Sequence, residues 1–274
     1  HIERIDNFWK DRSLVNIGPK LKGYPEKQLE VIPSIELQKI KNSNTIPITV
    51  PFSAQKPFEL NKGSFKILDF GTNLSGFIGL NINCTEETKL YVIFDEKISD
   101  RDVDFKRLGC VNAVGYELRE GTYNLESFEP YTMKYVKLLV LKGSCKIKNV
   151  YIRELANPLA REGKFECSDS RLVEIFRAGR QTFRQNATDL FMDCPSRERA
   201  SWLCDSFFTA RVALDLTGNT DIEKNMYENY LLPENFDNIP DGMLPMCYPA
   251  DHYDGSYIPN WGMWFVLQLE EYLN

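Results

Sequence analysis

The chain has 274 residues, 43% of them hydrophobic and 26% charged, with a net charge of −6, a composition that excludes disordered and collagen-like classes and leaves room for two globular domains. Charge is uneven: residues 1–160 carry 23 Lys and Arg against 20 Asp and Glu, whereas residues 161–274 carry 10 against 19. So acidic a second half excludes nucleic acid and anionic membrane as its partners, because phosphate is met by Lys and Arg, and no apolar stretch approaches the ~20 residues of a membrane helix.

The first 45 residues contain Pro19, Pro25 and Pro33, which forbid one continuous helix, so an irregular lead-in or an edge strand is expected there. The opening HIERIDNFWKDRS has no basic start followed by an apolar run, and no signal peptide is read in it. Over 46–157 apolar residues alternate with polar ones, as half-buried strands require. The runs fall at 65–67, 77–82, 90–94, 116–118, 136–140 and 147–152, with Gly71, Gly121 and Gly143 as the turns between strands. An antiparallel sandwich buries one face of each strand at this count and spacing.

Near Asn157-Pro158 the apolar period lengthens to three or four residues, which predicts a domain boundary and a helical domain over 158–274. Ser168 is the expected N-cap of a helix that places Leu172, Ile175, Phe176, Gly179 and Phe183 on one face. Further helices are predicted over about 199–217, 220–232 and 259–273. Gly218 stops the first of these, since glycine accepts the left-handed conformation.

Seven cysteines (Cys84, Cys110, Cys145, Cys167, Cys194, Cys204 and Cys247) form no C-x-x-C pair. That excludes zinc-ribbon and thioredoxin patterns and leaves buried free thiols as the expectation. The two histidines, His1 and His252, are too few for a His-rich metal site or a Ser-His-Asp triad, and His252 is read as a loop hydrogen-bonder. Acid–base chemistry therefore falls to carboxylates.

The richest segment for such chemistry is Asp193-Cys194-Pro195-Ser196-Arg197-Glu198-Arg199-Ala200-Ser201-Trp202-Leu203-Cys204-Asp205. With a helix starting near Ser196, the residues Glu198, Trp202 and Asp205 fall at i, i+4 and i+7 on one face, while Pro195 makes Asp193 approach from a loop. A glutamate crowded by Asp193 and Asp205 and desolvated by Trp202 is expected to hold its proton, as a general acid must. The same spacing fits a solvated ion-pair cluster of Arg197, Arg199, Asp193 and Asp205 with Trp202 in the core, and residue types alone leave the two readings open.

The stretch DCPSRERASWLCDSFFTARVALDLTGN resembles the hallmark of glycoside hydrolase family seventy-eight, the α-L-rhamnosidases, whose pattern reads D-C-P-x-R-(D)-E-R-x-x-W-x-x-D. ILDFGTNLSGFIGLNI, FEPYTMKYVKLLVLKG and GKFECSDSRLVEIF resemble that family's β-sandwich and the passage into its barrel. The resemblance implies an antiparallel β-sandwich followed by the first helices of an incomplete (α/α)6 barrel. It implies Glu198 as general acid, Asp193, Arg197 and Asp205 as holders of sugar hydroxyls, and Trp202 as an apolar wall. This sequence lacks the acidic residue that many relatives carry between the Arg and the Glu, which shortens the Asp193-to-Glu198 spacing and loosens the assignment of Asp193.

Family members invert configuration, using a second carboxylate about 6.5–9.5 Å from the acid to activate water. That base is a Glu later in the family's barrel, so the chain is expected to lack it, to be inactive alone, and to be completed by the remainder of its own barrel or by another chain. A rhamnose-containing glycan is the implied partner, with no metal or organic cofactor. A non-catalytic carbohydrate-binding or structural module is the alternative function. In the aromatic tail, Asp254, Tyr257 and Trp261 are candidates for lining a sugar site, while Trp261 and Trp264 fit barrel packing as well.

Overall fold

A computed structural model of the chain describes residues 49–51, 56–161, 164–236, 239–249 and 257–274. The lead-in expected over 1–45, and with it His252 and Asp254, lies outside the described residues. The chain divides into two compact units between Leu155 and Ala156.

The first unit is built of strands β1 (Thr49–Pro51), β2 (Phe58–Asn61), β3 (Phe65–Cys84), β4 (Thr88–Asp95), β5 (Ile98–Ser99), β6 (Asp102–Val103), β7 (Ala113–Leu118), β8 (Gly121–Glu126), β9 (Tyr131–Lys142) and β10 (Ser144–Glu154). Eight of them form one hydrogen-bonded sheet with the path β2-β10-β3-β9-β4-β7, to which β1 and β8 attach through β3. Every pairing is antiparallel except β1 with β3.

The runs expected as separate strands on either side of Gly71 are one strand, β3. Gly71 is a bulge inside it: the register against β9 shifts between Asp69 and Leu74, and the Gly71 N–H donates to Asp69 Oδ1 at 2.7 Å. A positive φ of 79° and this local aspartate turn absorb the extra residues without reversing the chain. The length of β3 lets it serve two flanks, pairing first with β9 and then with β10 and β8.

Between β9 and β10 stands Gly143 alone, yet the two strands pair with different stretches of β3, residues 65–76 with β9 and 76–84 with β10, so the chain turns a corner there. Gly143 has a φ of 75°, and a Cβ on it would be driven into the Glu87 carbonyl, which is why no other residue suits the corner.

Alternation sends each strand's side chains to two cores. Leu68, Leu90, Val92, Phe94, Val136, Leu138 and Val140 join the main one, while Ile67, Tyr91, Ile93 and Leu139 point the other way and are covered by Val103, Ile98 and Phe105.

The second unit holds four helices among the described residues: α1 (Ser170–Asn186), α2 (Leu203–Thr217), α3 (Asp221–Leu231) and α4 (Pro259–Leu273). Asp169, one residue beyond the expected Ser168, caps α1 by accepting the Arg171 N–H at 2.9 Å. The Arg171 side chain folds back onto the same carboxylate at 2.8 Å, which selects the aspartate over the serine beside it. The apolar face read for α1 is buried at Phe183, 5% exposed, whereas Leu172 and Ile175 are 50% and 67% exposed. Gly218 ends α2 in the left-handed conformation, φ 76°. Phe183, Phe191, Leu203, Met226, Tyr227, Tyr230 and Phe265 form this unit's core.

Candidate active site

After α1 the chain bends tightly, with Ala187 bridged to Phe191 and the Met192 N–H donating to the Asn186 carbonyl at 2.7 Å. Phe191 is completely buried beneath the bend. Residues 193–200 then form a loop closed at its neck. The Asp193 N–H donates to the Ala200 carbonyl at 3.1 Å, and the Ala200 N–H donates back to Asp193 Oδ1 at 3.2 Å. Within the loop, Cys194 fastens the turn: its carbonyl accepts the Arg199 N–H at 3.2 Å and its sulfur accepts the Glu198 N–H at 3.4 Å.

The helix expected to start near Ser196 does not form there, and Glu198, Trp202 and Asp205 do not share one helical face. Residues 195–198 are turn, Arg199 has a φ of 51°, and α2 begins only at Leu203. The physical reason is that the backbone over 200–203 is committed elsewhere. Trp202 bridges Cys247, the Leu203 N–H donates to the Met246 carbonyl at 3.1 Å, and the Tyr248 N–H donates to the Ser201 carbonyl at 3.3 Å. Extended pairing and a left-handed residue are both incompatible with helix. Buried Ser201 and Ser206, 3.2 Å apart at their hydroxyls, and the Tyr230 hydroxyl donating to the Ser201 carbonyl at 3.2 Å brace this segment from below.

Asp193 and Glu198 nevertheless both act on the Asp205 carboxylate. Asp205, in the first turn of α2, is held above the usual aspartate range first by burial, with the charges of Asp193 and Glu198 adding to it and its own backbone N–H opposing. Arg197 makes a direct ion pair with Glu198, the arginine half-exposed and the glutamate one-quarter exposed at 25%. Trp202 meets Trp261 edge-on at 5.4 Å between ring centroids, so these two candidates form one aromatic corner where α2 and α4 begin. Trp264 instead meets Phe207 at a tilt, 4.8 Å between ring centroids, and Tyr257 is exposed just before α4.

Sequence reasoning passed over Cys194, whose thiol is pushed up by burial and by the Asp193 carboxylate while the N–H groups of Glu198 and Arg197 pull it down. Its signal was its place in the segment, four residues before Glu198, the spacing at which one turn returns to meet itself. Among the described residues no three His, Cys, Asp or Glu side chains are arranged to hold a metal ion. The carboxylates, Arg197 and the two indole rings can supply a proton, hydrogen bonds and an apolar wall.

Residues 160–274 match the family model of the bacterial alpha-L-rhamnosidase six-hairpin glycosidase domain. Over 243 residues, 82% of this chain and 26% of the other protein, the chain is 26% identical to an alpha-L-rhamnosidase of Formosa agariphila. A GH78 family rhamnosidase of Bacillus sp. GL1 is similar in structure at 28% identity with a TM-score of 0.65, covering 76% of this chain and 21% of that one. A Klebsiella oxytoca rhamnosidase with rhamnose bound shares the fold at 19% identity and a TM-score of 0.65, over 81% of this chain and 45% of that one. The chain thus spans about a quarter of the length of the curated relative it matches.

Proposed function

Since the chain belongs to the α-L-rhamnosidase glycoside hydrolase family, matched across residues 160–274, we propose that the protein of which it forms part hydrolyses terminal α-L-rhamnosides with inversion of configuration. The observation that carries this reading is the closed loop 193–200, which brings both Asp193 and Glu198 to act on Asp205. In this mechanism Glu198 protonates the glycosidic oxygen as the bond to the leaving group breaks. Asp193, Arg197 and Asp205 hold the sugar hydroxyls, and Trp202 with Trp261 closes the apolar side of the ring.

The Arg197–Glu198 ion pair gives binding a role in the chemistry. A sugar that draws Arg197 onto its own hydroxyls frees the Glu198 carboxylate to take a proton from solvent, and the carboxylic acid so formed gives that proton to the glycosidic oxygen. The four helices open a six-hairpin barrel in this reading, the water-activating base lies in the remainder of that barrel, and the chain by itself is inactive. The bound rhamnose of the Klebsiella oxytoca relative supports a rhamnose-containing glycan as the ligand.

The test uses the full-length protein with two substrates. A general acid is needed most by a poor leaving group, so Glu198→Gln is expected to lower turnover of an alkyl α-L-rhamnoside by about 10²–10⁴-fold. Turnover of a nitrophenyl α-L-rhamnoside, whose leaving group departs without a proton, falls much less. Alkyl rhamnoside hydrolysis undiminished in Glu198→Gln removes the assignment, and rhamnose binding without any wild-type turnover favours a carbohydrate-binding module instead.

A further inference from the structure

Cys194 stands at the junction of the two acidic residues that loop 193–200 brings together. On one side its neighbour Asp193 is bonded to Ala200 in both directions, at 3.1 and 3.2 Å. On the other its sulfur receives the Glu198 N–H at 3.4 Å and its carbonyl the Arg199 N–H at 3.2 Å. The side chain is partly buried, and the Asp193 carboxylate faces the thiol. Burial and that carboxylate both oppose loss of the thiol proton, so at neutral pH the sulfur has a proton to give and lone pairs to accept with. The distance suits sulfur, which accepts at longer reach than oxygen, and a hydroxyl in its place keeps the bond through a small inward shift of the loop.

We propose that Cys194 is a positioning residue for the proton donor, its S–H directed at the Asp193 carboxylate and its sulfur accepting the Glu198 N–H, so that one thiol sets the separation and orientation of the two acidic groups. The inference rests on the assignment of Glu198 as that donor. It requires the thiol as a hydrogen-bonding group and not merely as volume, and this separates it from a packing role. Arg199 adds a demand for such a clamp, because its left-handed backbone, φ 51°, is tied across the loop by its N–H to the Cys194 carbonyl.

The experiment measures pH–rate profiles and KM for alkyl α-L-rhamnoside hydrolysis by the full-length protein and its variants. Glu198→Gln first identifies the limb of the profile that belongs to the acid. Cys194→Val keeps the volume and removes donor and acceptor; it is expected to lower kcat about tenfold, to leave KM within about twofold, and to displace the acid's limb by about half a pH unit. Cys194→Ser, which restores both hydrogen-bonding functions at shorter reach, is expected to recover kcat to within about threefold of wild type. A Cys194→Val enzyme with a lowered melting temperature but an unmoved limb and unchanged kcat overturns the inference and leaves the Glu198 assignment standing. A Cys194→Ser enzyme no better than Cys194→Val overturns it as well. If Glu198→Gln itself leaves the profile intact, the function assigned to the site falls first.

Discussion

Asp205 is the side chain at which the acidic cluster is felt most plainly, because two neighbouring carboxylates and partial burial act on it in the same direction. Asp193 is one of those neighbours, and replacing it with asparagine keeps the Oδ1 acceptor for the Ala200 N–H while removing the charge. The sign follows directly: a negative neighbour raises a carboxyl, so in Asp193→Asn the Asp205 carboxyl is expected to titrate at lower pH than in the wild type. Side-chain carboxyl NMR across a pH series measures this, and an unmoved Asp205 would show that the two groups do not share a field. Residue types made the acidic cluster legible in the sequence, since three carboxylates and two arginines within thirteen positions point to it. Its local geometry was not legible. Helical spacing placed Glu198, Trp202 and Asp205 on one face, but the pairing of residues 201–203 with residues 246–248 comes from a segment more than forty positions away and overrides the local preference.

Among elements, the excursion between β4 and β7 shows how the sheet covers its second face. Val103 and Phe105 lie over Ile67, Ile93 and Leu139, and the segment is pinned by ions on both sides. Lys137, 4% exposed, bonds Asp102 at 2.8 Å, while the Arg107 fork reaches Asp95, 1% exposed, at 2.7 Å and Glu96 at 2.7 Å. Burial pushes the Asp95 carboxyl up and Arg107 is the chief influence pulling it back. Arg107→Met strands a buried charge and is expected to cost about 3 kcal/mol at neutral pH. Without the guanidinium, Asp95 takes up its proton at a higher pH in the fold than in the unfolded chain, so acid relieves the strain. The deficit therefore shrinks as pH falls, which urea titrations at several pH values would detect; a pH-independent deficit would mean that lost packing, not charge, is responsible. Apolar runs made β4 and β9 readable, alternation made β10 readable, and the helical period with Pro259 at its first turn made α4 readable. β8 escaped because it offers only two apolar residues, Tyr123 and Leu125, in a short run opened by Gly121, and it is stabilised by polar cross-strand bonds such as Asn81 to Asn124 at 2.7 Å. Gly71 read as a turn because a glycine with a positive φ serves bulges and turns alike.

Across the whole molecule the two units are built from different material. The sheet's main core is aliphatic, with Leu68, Ile82, Leu90, Leu138 and Ile147 almost wholly buried, whereas the helical core is a chain of rings. Tyr227 meets Phe265 at 5.5 Å, Tyr230 meets the same ring at 5.2 Å, and Phe183 lies 6.5 Å from Phe191. Each core is closed within its own unit, so a cavity made in one core acts on that unit's stability and need not reach the other. Leu138→Ala is expected to destabilise the sheet unit by about 2–5 kcal/mol, and Phe191→Ala the helical unit by about 3–5 kcal/mol. Three of the four tryptophans, Trp202, Trp261 and Trp264, lie in the helical unit, so tryptophan fluorescence follows chiefly that unit while the backbone signal follows both, and thermal scans by the two probes should separate. Phe191→Ala should move the fluorescence transition, and Leu138→Ala should move a backbone transition that the fluorescence follows much less. Coincident shifts of both probes in both variants would establish one cooperative unit instead. The distinction bears on function, because Phe191 supports the bend that delivers the chain to loop 193–200. At temperatures where each variant remains folded, Phe191→Ala should lose rhamnoside turnover in the full-length protein and Leu138→Ala should keep it, since the groups proposed to do the chemistry all stand on the aromatic side of the division.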